Sequence, residues 1–376
     1  MSTAPLEPDY LVIGAGGTAM AFVDTLLSES NASVVIADRR HRAGGHWNDA
    51  YPFVRLHQPS AYYGVASREL SSWSTDATGP NAGMYSLATG PEVLAHFDAV
   101  MHERFLPSGR VTFLPNHDVS ASADGAHTAT SLLTGATVEI RPRRKLVDAT
   151  LTGTEIPARR PPRYRVAAGV DCVSPNRLAD PHRAYARYTV VGAGKTAIDT
   201  VLWLLTQGVS GDRIRWIMPR DAWLLDRANF QPGFENFPTT SGYLITQFEA
   251  IAAATSMDGL FADLEQRGVL MRLDPAVTPQ MYHCAVVSRS ELALLRQVGD
   301  VVRLGRLQAA ERDHLVLDGG TVPADPDTLY VDCSACAIPA HGAQPVFAGG
   351  RIALQMIRVC QPLFSAAVIA WVESHV

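Results

Sequence analysis

A clustered basic excess is missing from this 376-residue sequence: 32 Lys and Arg stand against 37 Asp and Glu, for a formal net charge of −5. Nucleic-acid binding needs basic side chains gathered against phosphates, so no nucleic-acid partner is expected. The densest basic stretch, Arg141-Pro142-Arg143-Arg144-Lys145, runs straight into Leu146 and Val147 and reads as the solvated entrance of a strand. Long apolar runs are missing too. The strongly apolar stretch near the end, 363–372, is far too short to cross a bilayer, so no membrane partner is expected. Residues 1–8 lack the charged region and apolar run of a signal peptide, which makes the cytoplasm the expected location. Five cysteines, an odd number at irregular spacing, do not form a disulfide framework. The 12 histidines show no metal-ligand spacing, and no metal is expected.

What is present is an ordinary globular composition, 47% hydrophobic and 18% charged, long enough for about two or three domains. Asp9-Tyr10-Leu11-Val12-Ile13 is an apolar run ending in glycines and reads as a buried parallel strand. Residues 18–27 carry apolar side chains at helical spacing, and Ser33-Val34-Val35-Ile36-Ala37 reads as a second buried strand. The same grammar returns later. Tyr188-Thr189-Val190-Val191 precedes a glycine turn, 197–205 reads as helix, and Ile214-Arg215-Trp216-Ile217-Met218 as the next strand. The sequence therefore predicts an α/β fold with two Rossmann-type dinucleotide-binding units. Residues 153–162, rich in Pro and Arg, read as a linker, and Pro323-Ala324-Asp325-Pro326 as a second boundary. The first domain is thus expected to comprise 1–152 plus 324–376. The second, 153–323, is inserted into it and carries a helical insertion at about 222–295.

The first glycine turn reads Gly14-Ala15-Gly16-Gly17-Thr18-Ala19, a G-x-G-x-x-A pattern. Gly14 permits the turn, Gly16 lets the backbone approach a pyrophosphate, and Ala19 lets helix and strand pack closely. The free N–H groups from Gly17 and Thr18 onward then face the phosphates. Asp38, with Arg39 beside it, closes the second strand 24 residues after Gly14, where a carboxylate can hold ribose hydroxyls. The second turn is Gly192-Ala193-Gly194-Lys195-Thr196-Ala197. It resembles the tail of a P-loop, but that motif needs glycine where Thr189 stands. No acid closes the following strand; Pro219-Arg220 does, and a guanidinium there pairs with a 2′-phosphate. This favours NADPH over NADH, although Asp221 next door could instead be the partner of Arg220.

Two such turns, with Gly44-Gly45-His46-Trp47 after the first acidic residue, resemble the flavin-containing monooxygenase and Baeyer–Villiger monooxygenase superfamily. The resemblance covers nearly the whole chain. It implies that Gly45, His46 and Trp47 lie along FAD and that the Lys195-Thr196 turn binds NADPH. Leu146-Val147-Asp148-Ala149-Thr150 resembles a degenerate form of the group's A-T-G strand, placing Thr150 at the FAD, and Val331-Asp332-Cys333-Ser334-Ala335 looks like its second copy. Gln361-Pro362-Leu363-Phe364-Ser365 and the helix after it would return to the FAD domain, bringing Gln361 and Phe364 to the cofactor. The loop bearing His57 and Gln58 would pass beneath the flavin, making these the candidate catalytic residues. One departure is plain: Tyr164-Arg165-Val166-Ala167-Ala168-Gly169-Val170 stands where the group's F-x-G-x-x-x-H fingerprint belongs, with no matching histidine.

The expected function is that of an FAD-dependent NAD(P)H oxidoreductase, first of all a monooxygenase acting on a small organic substrate with O2. A reductase or oxidase without oxygenation, and a redox-sensing flavin-binding protein, stay open. Cys333-Ser334-Ala335-Cys336 is a C-x-x-C, read here as two small apolar fillers rather than a redox pair. Trp73, Trp223, Phe230, Phe234 and Phe237 are candidates for a substrate cavity or for plain core. Residues 242–268 read as helical, serving either substrate access or a homodimer contact.

Overall fold

The computed structural model describes residues 4–121, 125–335, 342–358 and 360–376. Tyr10–Ile13 lies at the centre of a six-stranded sheet, ordered Phe347–Ala348, Arg351–Ala353, Lys145–Asp148, Tyr10–Ile13, Val34–Asp38 and Val111–Pro115. All neighbours in it are parallel except the first pair. Its central strands are apolar on both faces because both are covered. On one face lies the helix Gly17–Glu29, buried from Ala19 to Leu27 and packed on the terminal helix Pro362–His375. On the other, a three-stranded meander, His117–Ala121, His127–Ser131 and Thr137–Ile140, sets Ala129 and Ile140 against Leu11 and Val35.

A second, five-stranded parallel sheet runs Asp171–Val173, Thr328–Asp332, Arg187–Val191, Ile214–Ile217 and Asp300–Val302. The helix Lys195–Thr206 covers one face over Val190 and Trp216. A four-stranded sheet covers the other, with Leu307, Ala310, Leu315 and Leu317 against Ile217 and Tyr330.

The two units repeat each other down to single hydrogen bonds. Gly14 N–H donates to Ala37 O at 2.8 Å and Gly192 N–H to Ile217 O at 3.0 Å. Ile13 pairs with Asp148 as Val191 pairs with Asp332. After each aspartate the chain makes the same side-chain turn. Thr150 N–H reaches Asp148 Oδ1 at 2.9 Å, and Ser334 N–H reaches Asp332 Oδ1 at 3.0 Å.

The structure departs from the expected boundaries in two places. Thr328–Asp332 belongs to the second sheet, so among the described residues the chain returns to the first one at Phe347–Ala348 and Arg351–Ala353. The segment Pro323-Ala324-Asp325-Pro326 is thus a turn between two layers of the second unit, not the boundary at 324. The insertion is also less helical than expected. Its helices Phe237–Ala253 and Met257–Gln266 are joined by a three-stranded sheet of Ala222–Asp226, Leu270–Met271 and Met281–Val287, and the helix Arg289–Leu295 follows. Among the described residues no helix is long and apolar enough to cross a membrane.

Candidate functional site

The first glycine turn is locked against the Gly44-Gly45 turn by backbone alone. Gly44 N–H donates to Ala15 O at 2.8 Å, and a Cβ on Gly45 would stand 2.8 Å from Gly16 Cα. Gly45 has φ +55, a conformation that side chains rarely adopt, so glycine is required there twice over. Gly17 is as tightly placed, with Tyr63 Oη and Leu363 Cδ1 at 3.1 and 3.2 Å from an added Cβ. The helix Gly17–Glu29 starts with no side-chain cap, leaving its first N–H groups, those of Gly17 and Thr18 included, free to meet an anion. Asp38 is buried at the strand end and accepts from Ala15 N–H at 2.6 Å and Arg40 N–H at 2.7 Å. Thr150 closes the turn from below, its methyl 3.3 Å from where a Gly14 Cβ would be.

Next to this clasp opens a cavity of about 400 Å³, a size typical of small-molecule sites. His46 and Trp47 form one wall, with the indole N–H of Trp47 held by Tyr63 Oη at 2.8 Å. His57 and Gln58 form another, and Gln361 from the start of the terminal helix donates to Gln58 Oε1 at 3.3 Å. His57 Nδ1 is buried and has no hydrogen-bond partner among the described residues. Burial, then the charges of Lys195 and Arg227, hold its imidazole well below the usual range, so it is neutral at neutral pH.

The Lys195 ammonium lines the cavity, bonds Arg55 O at 2.7 Å and pairs with Asp199 one helical turn on. Asp199 also accepts from Tyr51 Oη at 2.8 Å. Burial pushes the Lys195 ammonium down and the Asp199 carboxyl up, while each one's charge works to keep the other ionised. Thr196 lines the same cavity, so the start of the second unit's helix faces the first unit's site.

The second turn repeats the tight approach. Gly192 has φ +133, and its missing Cβ would lie 2.9 Å from Cys333 O. Trp216 Nε1 donates to Gly192 O at 2.7 Å, fixing the turn from the following strand. At Gly194 an added Cβ would meet nothing within 4 Å, and the helix Lys195–Thr206 begins without a side-chain cap. Arg220 is exposed beyond the strand Ile214–Ile217 with no ion-pair partner among the described residues. Asp221 is not its partner, because it is buried in a two-point pair with Arg303 at 2.9 and 3.1 Å.

One expected cofactor contact is absent from the cavity lining: Phe364 is 51% exposed, whereas its neighbour Leu363 lines the cavity. Arg39, next to Asp38, is exposed beside Asp118 at 3.6 Å. None of Trp73, Trp223, Phe230, Phe234 and Phe237 lines the cavity; Trp223 stacks on Phe261 and Phe234 is solvent-exposed. Cys333 is buried against Thr200 Oγ1 at 3.3 Å, as a filler would be, while Cys336 lies outside the described residues.

Sequence reasoning missed a buried network. Arg227, 3% exposed, bonds Glu291 Oε2 and Asn81 Oδ1, both at 2.5 Å, together with Val286 O and the backbone carbonyl of His57. It therefore ties the His57 loop to the insertion. It also missed Cys284 and Cys360, which line the cavity together. The Lys195–Asp199 spacing of four on a helix was the one visible signal for any of these contacts.

No family model matches the chain. Similar proteins include the uncharacterized protein Rv2000 of Mycobacterium tuberculosis and the uncharacterized protein Mb2023 of Mycobacterium bovis. Each is 50% identical over 371 residues, which is 98% of this chain and 67% of theirs. Among solved structures, closed cyclohexanone monooxygenase aligns with a TM-score of 0.59 at 14% identity, over 99% of this chain and 85% of its own. The flavin-containing monooxygenase of Stenotrophomonas maltophilia gives 0.58 at 13% identity, over 98% and 99%. An oxidized steroid monooxygenase bound to NADP gives 0.55 at 18% identity, over 87% and 71%. Likeness at this identity is one of fold. The chain belongs to the family of these mycobacterial proteins, built on the two-Rossmann-unit fold of flavin-containing and Baeyer–Villiger monooxygenases.

Proposed function

We propose that this protein is an FAD-dependent NAD(P)H oxidoreductase that oxygenates a small organic substrate with O2. The observation that carries the reading is the single cavity on which both units open: His46, Trp47 and Gln361 from the first, Thr196 from the second. The residues fit the cofactors. The Gly16–Gly45 clasp offers backbone where any Cβ would intrude, the uncapped helix start offers N–H groups, and His57 Nδ1 is a buried polar atom awaiting a partner. FAD would be held by Gly14, Gly16, Gly17, Thr18 and Asp38, with Gly45, His46, Trp47, Thr150 and Gln361 along its length. NADPH would be held by Gly192, Gly194, Thr196 and Arg220.

When bound, the flavin would take hydride from the nicotinamide and pass electrons to O2. The protein's part is orientation and proton control. His57 stays neutral and so presents a hydrogen-bonding nitrogen, not a cation, to whatever occupies the cavity. Gln58 and Gln361 brace each other in the cavity wall, and the Tyr51–Asp199–Lys195 chain fixes the loop to the second unit. In this reading the enzyme works in the cytoplasm, and a homodimer is tested by its solution mass.

Purified protein should be yellow, consume NADPH with O2 and release an oxygenated product. Hydrogen peroxide in step with all NADPH consumed would replace this by an oxidase, and a colourless protein that cannot be reconstituted would sink the flavin reading. Arg220→Ala tests the second cofactor. Loss of a charge-assisted contact of about 1.5–3 kcal/mol should raise KM for NADPH roughly ten- to a hundredfold. KM for NADH should stay unchanged; an equal effect on both would rule out a 2′-phosphate contact.

A further inference from the structure

Four described cysteines carry free thiols, and two of them, Cys284 and Cys360, line the cavity. Cys284 comes from the strand Met281–Val287 of the insertion, and Cys360 lies two residues before the terminal helix begins at Pro362. Cys284 does not follow the ladder of its strand. Trp223 pairs with Tyr282 but Leu224 with Ala285, so His283 and Cys284 bulge out with no opposing residue. Such bulges re-aim side chains beside active sites. Both cysteines have left-handed backbone, φ 54 and φ 63, a conformation uncommon for non-glycine residues.

We propose that Cys284 and Cys360 form a peroxide-reactive dithiol in the cavity wall, which closes as a cystine joining the insertion to the start of the terminal helix. The two thiols are neighbours in the cavity lining. Interaction with the Cys360 thiol, aided by Tyr282, brings the Cys284 thiol down to about 7, so a large share is thiolate near neutral pH. The other two cysteines lack this poise: burial pushes both Cys172 and Cys333 up.

The chemistry balances with one hydroperoxide. The Cys284 thiolate attacks a peroxide oxygen, the O–O bond breaks, and the departing hydroxide takes up a proton to leave as water. Cys284 is then a sulfenic acid. The Cys360 sulfur displaces its hydroxyl, the Cys360 proton leaves with it as a second water, and the S–S bond forms. Two thiols lose two electrons in all, and one hydrogen peroxide becomes two waters. The cystine would tie two segments of the cavity wall together and fix its shape. The consequence for turnover rests on the proposed flavin reading, since peroxide is what uncoupled turnover would release; the thiol chemistry does not.

The test is thiol counting and peptide mapping on the full, reduced chain treated with a slight excess of hydrogen peroxide. The expected result is loss of two alkylatable thiols, a mass decrease of two hydrogens, and a linked peptide pair containing Cys284 and Cys360. Cys360→Ser should instead accumulate a sulfenic acid on Cys284 that a dimedone probe captures, and Cys284→Ser should lose both the link and the probe adduct. A linkage between other cysteines, or equally fast oxidation in Cys284→Ser, would overturn the proposal. Flavin content is read separately by absorbance. A colourless protein that forms the cystine overturns the flavin reading alone, and a yellow protein that does not form it overturns the dithiol alone.

Discussion

Gly45→Ala should yield a folded protein that has lost its flavin. The new Cβ would sit 2.8 Å from Gly16 Cα, and both contacts are backbone, so the two glycine turns must part. Alanine must also adopt φ +55, which costs about 1–2 kcal/mol before any clash is counted. Parting the turns moves the N–H groups that would face the pyrophosphate. Losing two charge-assisted hydrogen bonds of about 1.5–3 kcal/mol each weakens FAD by roughly two to four orders of magnitude. Flavin absorbance per chain after gel filtration measures this, with circular dichroism reporting the fold. Gly194→Ala is the matched control. Its Cβ meets no protein atom and its φ of −87 suits any residue, so only a ligand can feel the change. It should keep its flavin yet slow flavin reduction by NADPH. A Gly45→Ala protein with a full complement of FAD would show that the clasp is not a pyrophosphate cradle.

The features these substitutions probe differ in how far they could be read from sequence. The two strand–turn–helix units are local patterns, with apolar runs that end in glycines, and they stand where the sequence places them. Pairing is not local. Pro323-Ala324-Asp325-Pro326 has the composition of a linker and of a tight turn alike; only the ladder between Thr328–Asp332 and Arg187–Val191 assigns it to the second unit. The insertion's strands were hidden for the same reason, since Ala222–Asp226 finds its parallel partner across two helices. Side-chain contacts followed suit. Gly44 and Gly45 were visible as a motif, whereas Tyr51 meets Asp199 from 148 residues away. Phe364 failed by helical phase. The motif brought the segment to the site but could not tell which of two adjacent apolar residues turns inward.

Arg227 has the largest expected effect on stability, and no motif announces it. Its guanidinium is 3% exposed and satisfies Glu291, Asn81, Val286 O and His57 O at once. Arg227→Met would leave the Glu291 carboxylate, 6% exposed, buried without its counter-charge. Breaking a buried pair in this way costs about 3–5 kcal/mol, against 0–1 for an exposed one. Urea unfolding should resolve the difference. Glu291 also accepts from Ser288 N–H at 2.9 Å, closing the capping box of the helix Arg289–Leu295, so the second variant must keep that acceptor. Glu291→Gln does so while removing the charge. The double variant, Arg227→Met with Glu291→Gln, should therefore recover a large part of the loss, because the uncompensated charge, not the missing contact, dominates it. Stability and site then separate. The double variant still lacks the tether to the His57 carbonyl, so its His57 loop should stay loose and its flavin spectrum altered even where the fold is restored. Recovery of both together would mean that Arg227 serves the fold alone and does not position His57.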